Sequence, residues 1–409
     1  MQNVVLRAPA LVFLVAVSAA SGEDAACAAT DAASQSLYSH AAATLTISTA
    51  NPPATDMRVQ IRGRSRLTYS SKDELPEFIG APTDAAFPLV AHAGNLTEAD
   101  AAPDTETAPT IADYANAAKS LFADKLVSHG AVLLRGLPLA DSADYSAFVS
   151  ALGWDAVKLA GGGTQRSDVQ SNVRSASDEP PEQTIEPHMD MAHSVAHPKR
   201  IGFFMAAGPP PGAGGETVLT NMRAVYRELD ALGVPQAFEE HGGVAYHKRL
   251  WSAEHVNHTY TWQKFFFTSE LEKALDEVRK RDPAARVHEH GPEVIDFREV
   301  LPAVHPHPST GEPTWFNGVH TNHRSYYEEA EHVDTSDGSP MDTTYADGTP
   351  IPDATLAAIR AAYWKNSVAM QLRTGDLVIV DNMLASHGRM SWIPPAPRKM
   401  LLTHFSGGF

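Results

Sequence analysis

Apolar residues along this chain recur in two rhythms, one helical and one of short unbroken runs. Over Ile111–Val127 they return on one face of a 3.6-residue period, which predicts an amphipathic helix. Asp141 or Ser142 offers a cap to a second helix reaching Leu152. Ser269 and Glu272 have capping-box spacing and open a third, to about Arg281. A fourth covers Asp353–Trp364, with Leu356, Ile359 and Tyr363 on one side. The unbroken runs are Ala131–Leu134, Ile201–Ala206, Leu377–Val380 and Met400–His404, each of strand length, with Ala131–Leu134 and Leu377–Val380 predicted to be buried. Turn residues separate them at Arg135-Gly136, Pro209–Gly215 and Gly375-Asp376. Short strands with scattered helices predict an α+β protein. Its core is expected to be a double-stranded β-helix, or jelly roll, with flanking helices and long insertions.

The rhythm fails before residue 76. Arg7 precedes an apolar run, Ala8–Ala20, that small residues follow, so residues 1–22 read as a signal or organelle-targeting segment. Without it the chain is expected in the cytoplasm. The run is too short for a stable membrane span. Residues 23–75, rich in Ala, Ser and Thr, read as a low-complexity linker, with ordered structure from near Phe78 and one catalytic domain over 76–409. The net charge of −17 disfavours a nucleic-acid partner, which needs a basic footprint. Cys27 is the only cysteine, so neither an internal disulfide nor a multi-cysteine zinc site is available.

Candidate chemistry sits in two distant fragments, His188-Met189-Asp190 and Ser386-His387-Gly388-Arg389. Residues two apart on a strand share a face, so His188 and Asp190 can reach one metal. Two imidazoles and a carboxylate, with no thiolate, are the donor set of a mononuclear non-haem Fe(II) site that keeps three positions open. Rival pairs exist at His288/His290, His305/His307 and His320/His323. Around the two fragments lie Gly214-Gly215-Glu216-Thr217, the run Gly375–Asn382 (GDLVIVDN) and Arg398. Arg398 follows His387 at a distance that lets it return on the next strand and offer a forked donor to a carboxylate. The plain alternative is a surface ion pair of little worth.

In order and spacing, HMD, GGET, GDLVIVDN, SHGR and Arg398 resemble the taurine dioxygenase (TauD/TfdA) and clavaminate synthase-like family of Fe(II)/2-oxoglutarate dioxygenases. The likeness is nearest to its plant-type clavaminate synthase-like branch, in which SHGAVLLRGLPL, GGGTQR, PPEQTIEPHMDMAH and TWFNG also have counterparts. It runs over roughly 110–409. It implies iron ligation by His188, Asp190 and His387. It further implies that Thr217 and Arg398 hold 2-oxoglutarate, with Arg389 supporting the same pocket, and that dioxygen takes the remaining position. The implied activity is oxidation, foremost hydroxylation, of an unactivated C–H bond in a small organic molecule, with release of succinate and carbon dioxide. The branch often has Glu where this chain has Asp190, and the stretch from Asp190 to Thr217 is lengthened by a proline-rich loop. Asn317, Gln165 and Arg166 are the substrate-pocket candidates from matching segments; Trp315, His320 and Arg324 lie near them in sequence. Two other readings stand beside this one, a zinc-type hydrolase using the same histidines with His320/His323 and a non-catalytic jelly-roll binding protein.

Overall fold

The computed structural model describes residues 37–40, 43–47, 78–79, 87–95, 108–159, 166–177, 179–210, 212–254, 260–281, 288–289, 294–328, 333, 335–336 and 338–407. The targeting segment expected over 1–22 lies outside them, as do Gln165 and His290.

Side-chain alternation builds the layers. In the strand Ala131–Arg135, Val132 and Leu134 face one way and Ala131 and Leu133 the other. Val132 and Leu134 join a core with Tyr114, Leu121 and Phe122 of the helix Ile111–His129 and Tyr145 and Phe148 of the helix Ser142–Leu152. Ala131 and Leu133 join a second core with Ile201, Phe203, Val378, Val380 and Leu402 of the same sheet and Leu219, Val368 and Met370 of another. One large sheet therefore carries helices on one face and a smaller sheet on the other, the sandwich expected of a jelly roll.

The large sheet runs Leu37–His40, Ala43–Ile47, Leu89–Asn95, Ala131–Arg135, Leu377–Asp381, Arg200–Ala207, Lys399–Phe405, Val173–Ser175, Asp168–Gln170. The facing sheet runs Phe78–Ile79, Ser367–Met370, Thr217–Asn221, Ala385–Arg389, Ile185–His188. The predicted helices form near their predicted bounds, the first held by a Thr110/Asp113 capping box and the second by Asp141. Among the described residues no helix is long and apolar enough to cross a membrane.

The expected linker needs correction. Leu37–His40 and Ala43–Ile47 form a hairpin, and its second strand pairs with Leu89–Asn95. Ala43 and Leu45 are wholly buried against the first helix. The Ala, Ser and Thr composition hid an alternating strand, so structure starts well before Phe78.

The long insertion is also visible. Thr217–Asn221 and Ser367–Met370 are hydrogen-bonded neighbours, yet residues 222–366 lie between them. Part of this insertion makes a four-stranded sheet with a separate core of Leu250, Trp262, Phe265, Phe266, Leu275 and Phe297.

Gly388 marks where the site strands meet. A Cβ there would lie 2.7 Å from the Ile185 carbonyl oxygen and 3.1 Å from the Pro187 nitrogen, both backbone atoms that cannot swing aside. Gly388→Ala should therefore cost about 1–3 kcal/mol, the usual range for overpacking. Urea unfolding checks this; an unchanged midpoint would show that the two strands have slack.

Candidate metal centre and its two cavities

His387 sits mid-strand in Ala385–Arg389, in register with His188 at the end of Ile185–His188. The ring centroids of the two histidines are 4.6 Å apart. Asp190 reaches them differently from the sequence expectation. The strand ends at His188, and Asp190 lies in a turn where Met191 adopts a φ of 57°. The turn is fastened from outside: the Asn382 side chain accepts from the Asp190 N–H at 3.0 Å and donates to the Asp190 carbonyl at 2.9 Å. Asp190 Oδ1 then lies 3.5 Å from His188 Nε2 and 3.8 Å from His387 Nε2. Ligand atoms of these three residues lie within 4.8 Å of one another, and they form the only such group among the described residues.

Protonation states suit a metal. Burial, then the nearby His188, pushes His387 down to about 3, so its imidazole is neutral with a lone pair to offer. Burial alone would raise Asp190. The Arg166 guanidinium and hydrogen bonds from His188 and His404 overcome this and hold the carboxyl well below the ordinary carboxylate range. Two imidazoles and one carboxylate, with no sulfur, fit Fe(II).

Arg166 has a partner that the sequence did not announce. Expected as a substrate residue, it donates through Nη2 to both Asp190 oxygens, at 3.1 and 2.9 Å, and through Nε to the Ala176 carbonyl. His404 contacts Asp190 Oδ2 at 2.8 Å from the strand Lys399–Phe405. Nothing local in the sequence distinguishes His404 from the other histidines; its partner is 214 positions away.

Two cavities flank the trio. The first, of about 500 Å³, is lined by His188, His387, Thr217, Arg389 and Arg398 among others. Thr217 pairs across the strands with Arg389. Arg398 donates from Nε to the Gly215 carbonyl at 2.8 Å, and its Nη2 lies 3.4 Å from Thr217 Oγ1. Burial, then the Arg389 charge, lowers Arg398 to about 9, so a negative group beside it would be strongly favoured. Arg389 itself is spent on the backbone carbonyls of Glu179, Pro180 and Gln183 and stacks on Trp392 at 4.5 Å. It supports the pocket by fixing the 179–183 segment.

The second cavity, of about 640 Å³, is lined by His188 and Asp190 on one side and by Glu179, Tyr260, Asn322, Tyr326 and Tyr327 on others. Arg166 lines both cavities.

Other expected residues lie elsewhere. Asn317 is buried, donating to the Ala303 carbonyl and accepting from the Val319 N–H, and it lines neither cavity. Trp315 is in the core of the insertion. His320 contacts the Pro187 carbonyl at 3.0 Å, and Arg324 is exposed beside Asp342. His307 contacts Asp381 and His323 contacts Ser325. None of these joins the trio, so His320 and His323 are not grouped with it as the hydrolase reading required.

A family model described as taurine catabolism dioxygenase TauD, TfdA family matches residues 95–404. A clavaminate synthase-like protein of Arabidopsis thaliana is 26% identical over 273 residues, covering 65% of this chain and 79% of the relative. The dapdiamide synthesis protein DdaC of Enterobacter agglomerans is 26% identical over 280 residues, covering 65% and 80%. Among solved structures, PvcB of Pseudomonas aeruginosa aligns with a TM-score of 0.41 at 16% identity, over 80% of this chain and 87% of that one. A taurine dioxygenase from Burkholderia xenovorans aligns with a TM-score of 0.42 at 16% identity, over 81% and 90%.

The buried histidines set an acid limit on stability. His387 and His320 are both pushed to about 3, chiefly by burial, and His404 is lowered too. Unfolded histidines titrate near 6.5, so below that pH the unfolded chain binds protons that the fold refuses. Stability must fall as pH drops from 6.5 toward 3, by about 1.4 kcal/mol per pH unit for each such group. Urea midpoints of the metal-free protein between pH 7 and 5 should show the decline, with a shallower slope in His320→Gln. A flat profile would mean that these rings take up protons in the fold.

Proposed function

The chain belongs to the taurine catabolism dioxygenase TauD, TfdA family, and from that premise we propose that it oxidises, by hydroxylation, an unactivated C–H bond of a small organic molecule held in the second cavity. As a member of that family it is a 2-oxoglutarate-dependent non-haem iron dioxygenase, with iron and 2-oxoglutarate as cofactors. The substrate bond and the role of each side chain are our reading. One observation carries it: the His188, Asp190 and His387 ligand atoms converge where two separate cavities meet.

In this reading His188, Asp190 and His387 hold the iron, leaving three positions open. Thr217 and Arg398 hold the far carboxylate of 2-oxoglutarate in the first cavity, where a guanidinium fork suits a carboxylate. When bound, iron, 2-oxoglutarate and dioxygen supply the oxidising power: the substrate gains one oxygen atom, and succinate and carbon dioxide leave. The chain's own contribution is position and charge. Asn382 fixes the turn that presents Asp190. Arg166 and His404 keep its carboxylate ionised and aimed. Asp190 also supplies the third protein ligand, which speaks against halogenation, where that position must accept chloride. Against a non-catalytic binding role stands the grouping of His188, Asp190 and His387 beside the cavity that Thr217 and Arg398 line.

The test is an anaerobic Fe(II) titration with and without 2-oxoglutarate, following the visible metal-to-ligand charge-transfer band. The band should need both components and be absent in Asp190→Ala, which should also lose coupled succinate release. A normal band or normal turnover in that variant would sink the ligand assignment. Arg398→Ala should retain the band but raise the 2-oxoglutarate requirement at least about tenfold, the worth of a charged hydrogen bond. An unchanged requirement would place the cosubstrate carboxylate on another residue.

A further inference from the structure

We propose that the insertion over 222–366 clamps the metal-binding segment from behind: His320 and Lys248 hold the backbone carbonyls of Pro187 and His193, on either side of His188 and Asp190, and so set how tightly the metal is held. This deepens the metal reading given above and rests on it.

The small sheet gives this segment few ties of its own. Between Ala385–Arg389 and Ile185–His188 two residue pairs stand in register, His387 with His188 and Arg389 with Ile185, and the ladder is irregular between them. Pro187 lies in that irregular stretch and has no N–H to give to a ladder. The strand ends at His188, and residues 190–193 form a turn. Asn382 fastens Asp190 within that turn, but the two flanks are met from the insertion. The upstream flank bears directly on a ligand. His188 Nδ1 lies 2.9 Å from the Glu186 carbonyl, which leaves Nε2 for a metal and ties the ring to the backbone at 186.

On that flank His320 Nε2 lies 3.0 Å from the Pro187 carbonyl. A carbonyl can only accept, so Nε2 carries the proton and donates it. His320 is wholly buried, and Arg360 holds it in turn: Nη2 donates to the His320 carbonyl at 3.2 Å, while Nε lies 3.4 Å from Glu186 Oε2. On the downstream flank Lys248 Nζ donates to the His193 carbonyl at 3.3 Å. Lys248 is 2% exposed, paired with Glu299 and set against the rings of Phe265 and Phe297. Burying a lysine and an arginine is unfavourable unless each is paired and hydrogen-bonded, and both of these cations bear on the segment or on the histidine that holds it. His320 is followed by Thr321 and Asn322, which line the second cavity. The same stretch of chain thus borders the substrate side and holds the ligand backbone. Ligands work within about half an ångström of their best position, and loss of a supporting contact lowers metal affinity about tenfold to a hundredfold.

The experiment titrates the full metal-free chain with Co(II) alone, followed by visible absorption, and urea midpoints without metal check that each variant is folded. His320→Leu should weaken Co(II) binding about tenfold to a hundredfold, and His320→Gln, whose amide still donates, should restore most of it. Lys248→Met combined with Glu299→Gln, which removes both buried charges together, should weaken binding in the same range. Val278 packs in the separate core of the insertion, so Val278→Ala loosens that core and should bind Co(II) like the wild type. Unchanged affinity in both His320→Leu and the Lys248/Glu299 double variant, or an equal loss in Val278→Ala, would overturn the clamp while wild-type binding still upheld the metal reading. A wild-type chain that takes up no Co(II) would overturn the metal reading and the clamp with it.

Discussion

The fold is organised around one buried carboxylate. Burying an ionised carboxyl costs several kcal/mol unless it is paired and hydrogen-bonded. The Asp190 carboxylate meets that demand with contacts from distant parts of the chain: Arg166 before the site strands, His188 beside it, and His404 on the last strand. Breaking one partner would leave a charge stranded in the interior, so the network is all-or-none in character. It also does chemical work, since the same contacts keep Asp190 an anion beside the His188 and His387 imidazoles.

The run GDLVIVDN shows how a motif can serve a site without touching substrate. Asp376 pairs with Arg135 at the neighbouring strand's end and accepts from the Arg373 N–H. Leu377 and Ile379 face the helices, while Val378 and Val380 face the second sheet. Asp381 accepts from His307 of the insertion and from the Met383 N–H. Asn382 clamps the Asp190 turn and also donates to the Pro198 carbonyl. The run thus braces the helices, the second sheet, the insertion and the Asp190 turn.

Helices were legible because caps and a 3.6-residue rhythm are local, and buried strands because their apolar runs are bounded by turn residues. The trio was legible because its residue types and order are distinctive. What escaped was long-range. His404 and Asp190 meet only through folding, and no periodicity announces it. Arg166 and Asn317 were candidates because their segments match the family branch; the pairing of Arg166 with Asp190 is long-range, and Asn317 satisfies backbone groups of the insertion. The hairpin of Leu37–Ile47 was hidden by small and hydroxyl side chains, although Ala43 and Leu45 alternate onto the helix.

The two cavities divide the work between two parts of the chain. Residues of the paired sheets and their adjoining loops, His188, Thr217, His387 and Arg398, border the first. Much of the second is bordered by the insertion, through Tyr260, Thr321, Asn322, Tyr326 and Tyr327. That insertion leaves and rejoins the small sheet at two neighbouring strands and brings an apolar cluster of its own. It can therefore change without disturbing the pairing of His188 with His387. A likeness in the sheet motifs then carries over the metal and cosubstrate chemistry but leaves the substrate open. Arg166 is the exception, since it borders both cavities while held by Asp190. Through that shared side chain, a charge entering either cavity acts on the Asp190 carboxylate.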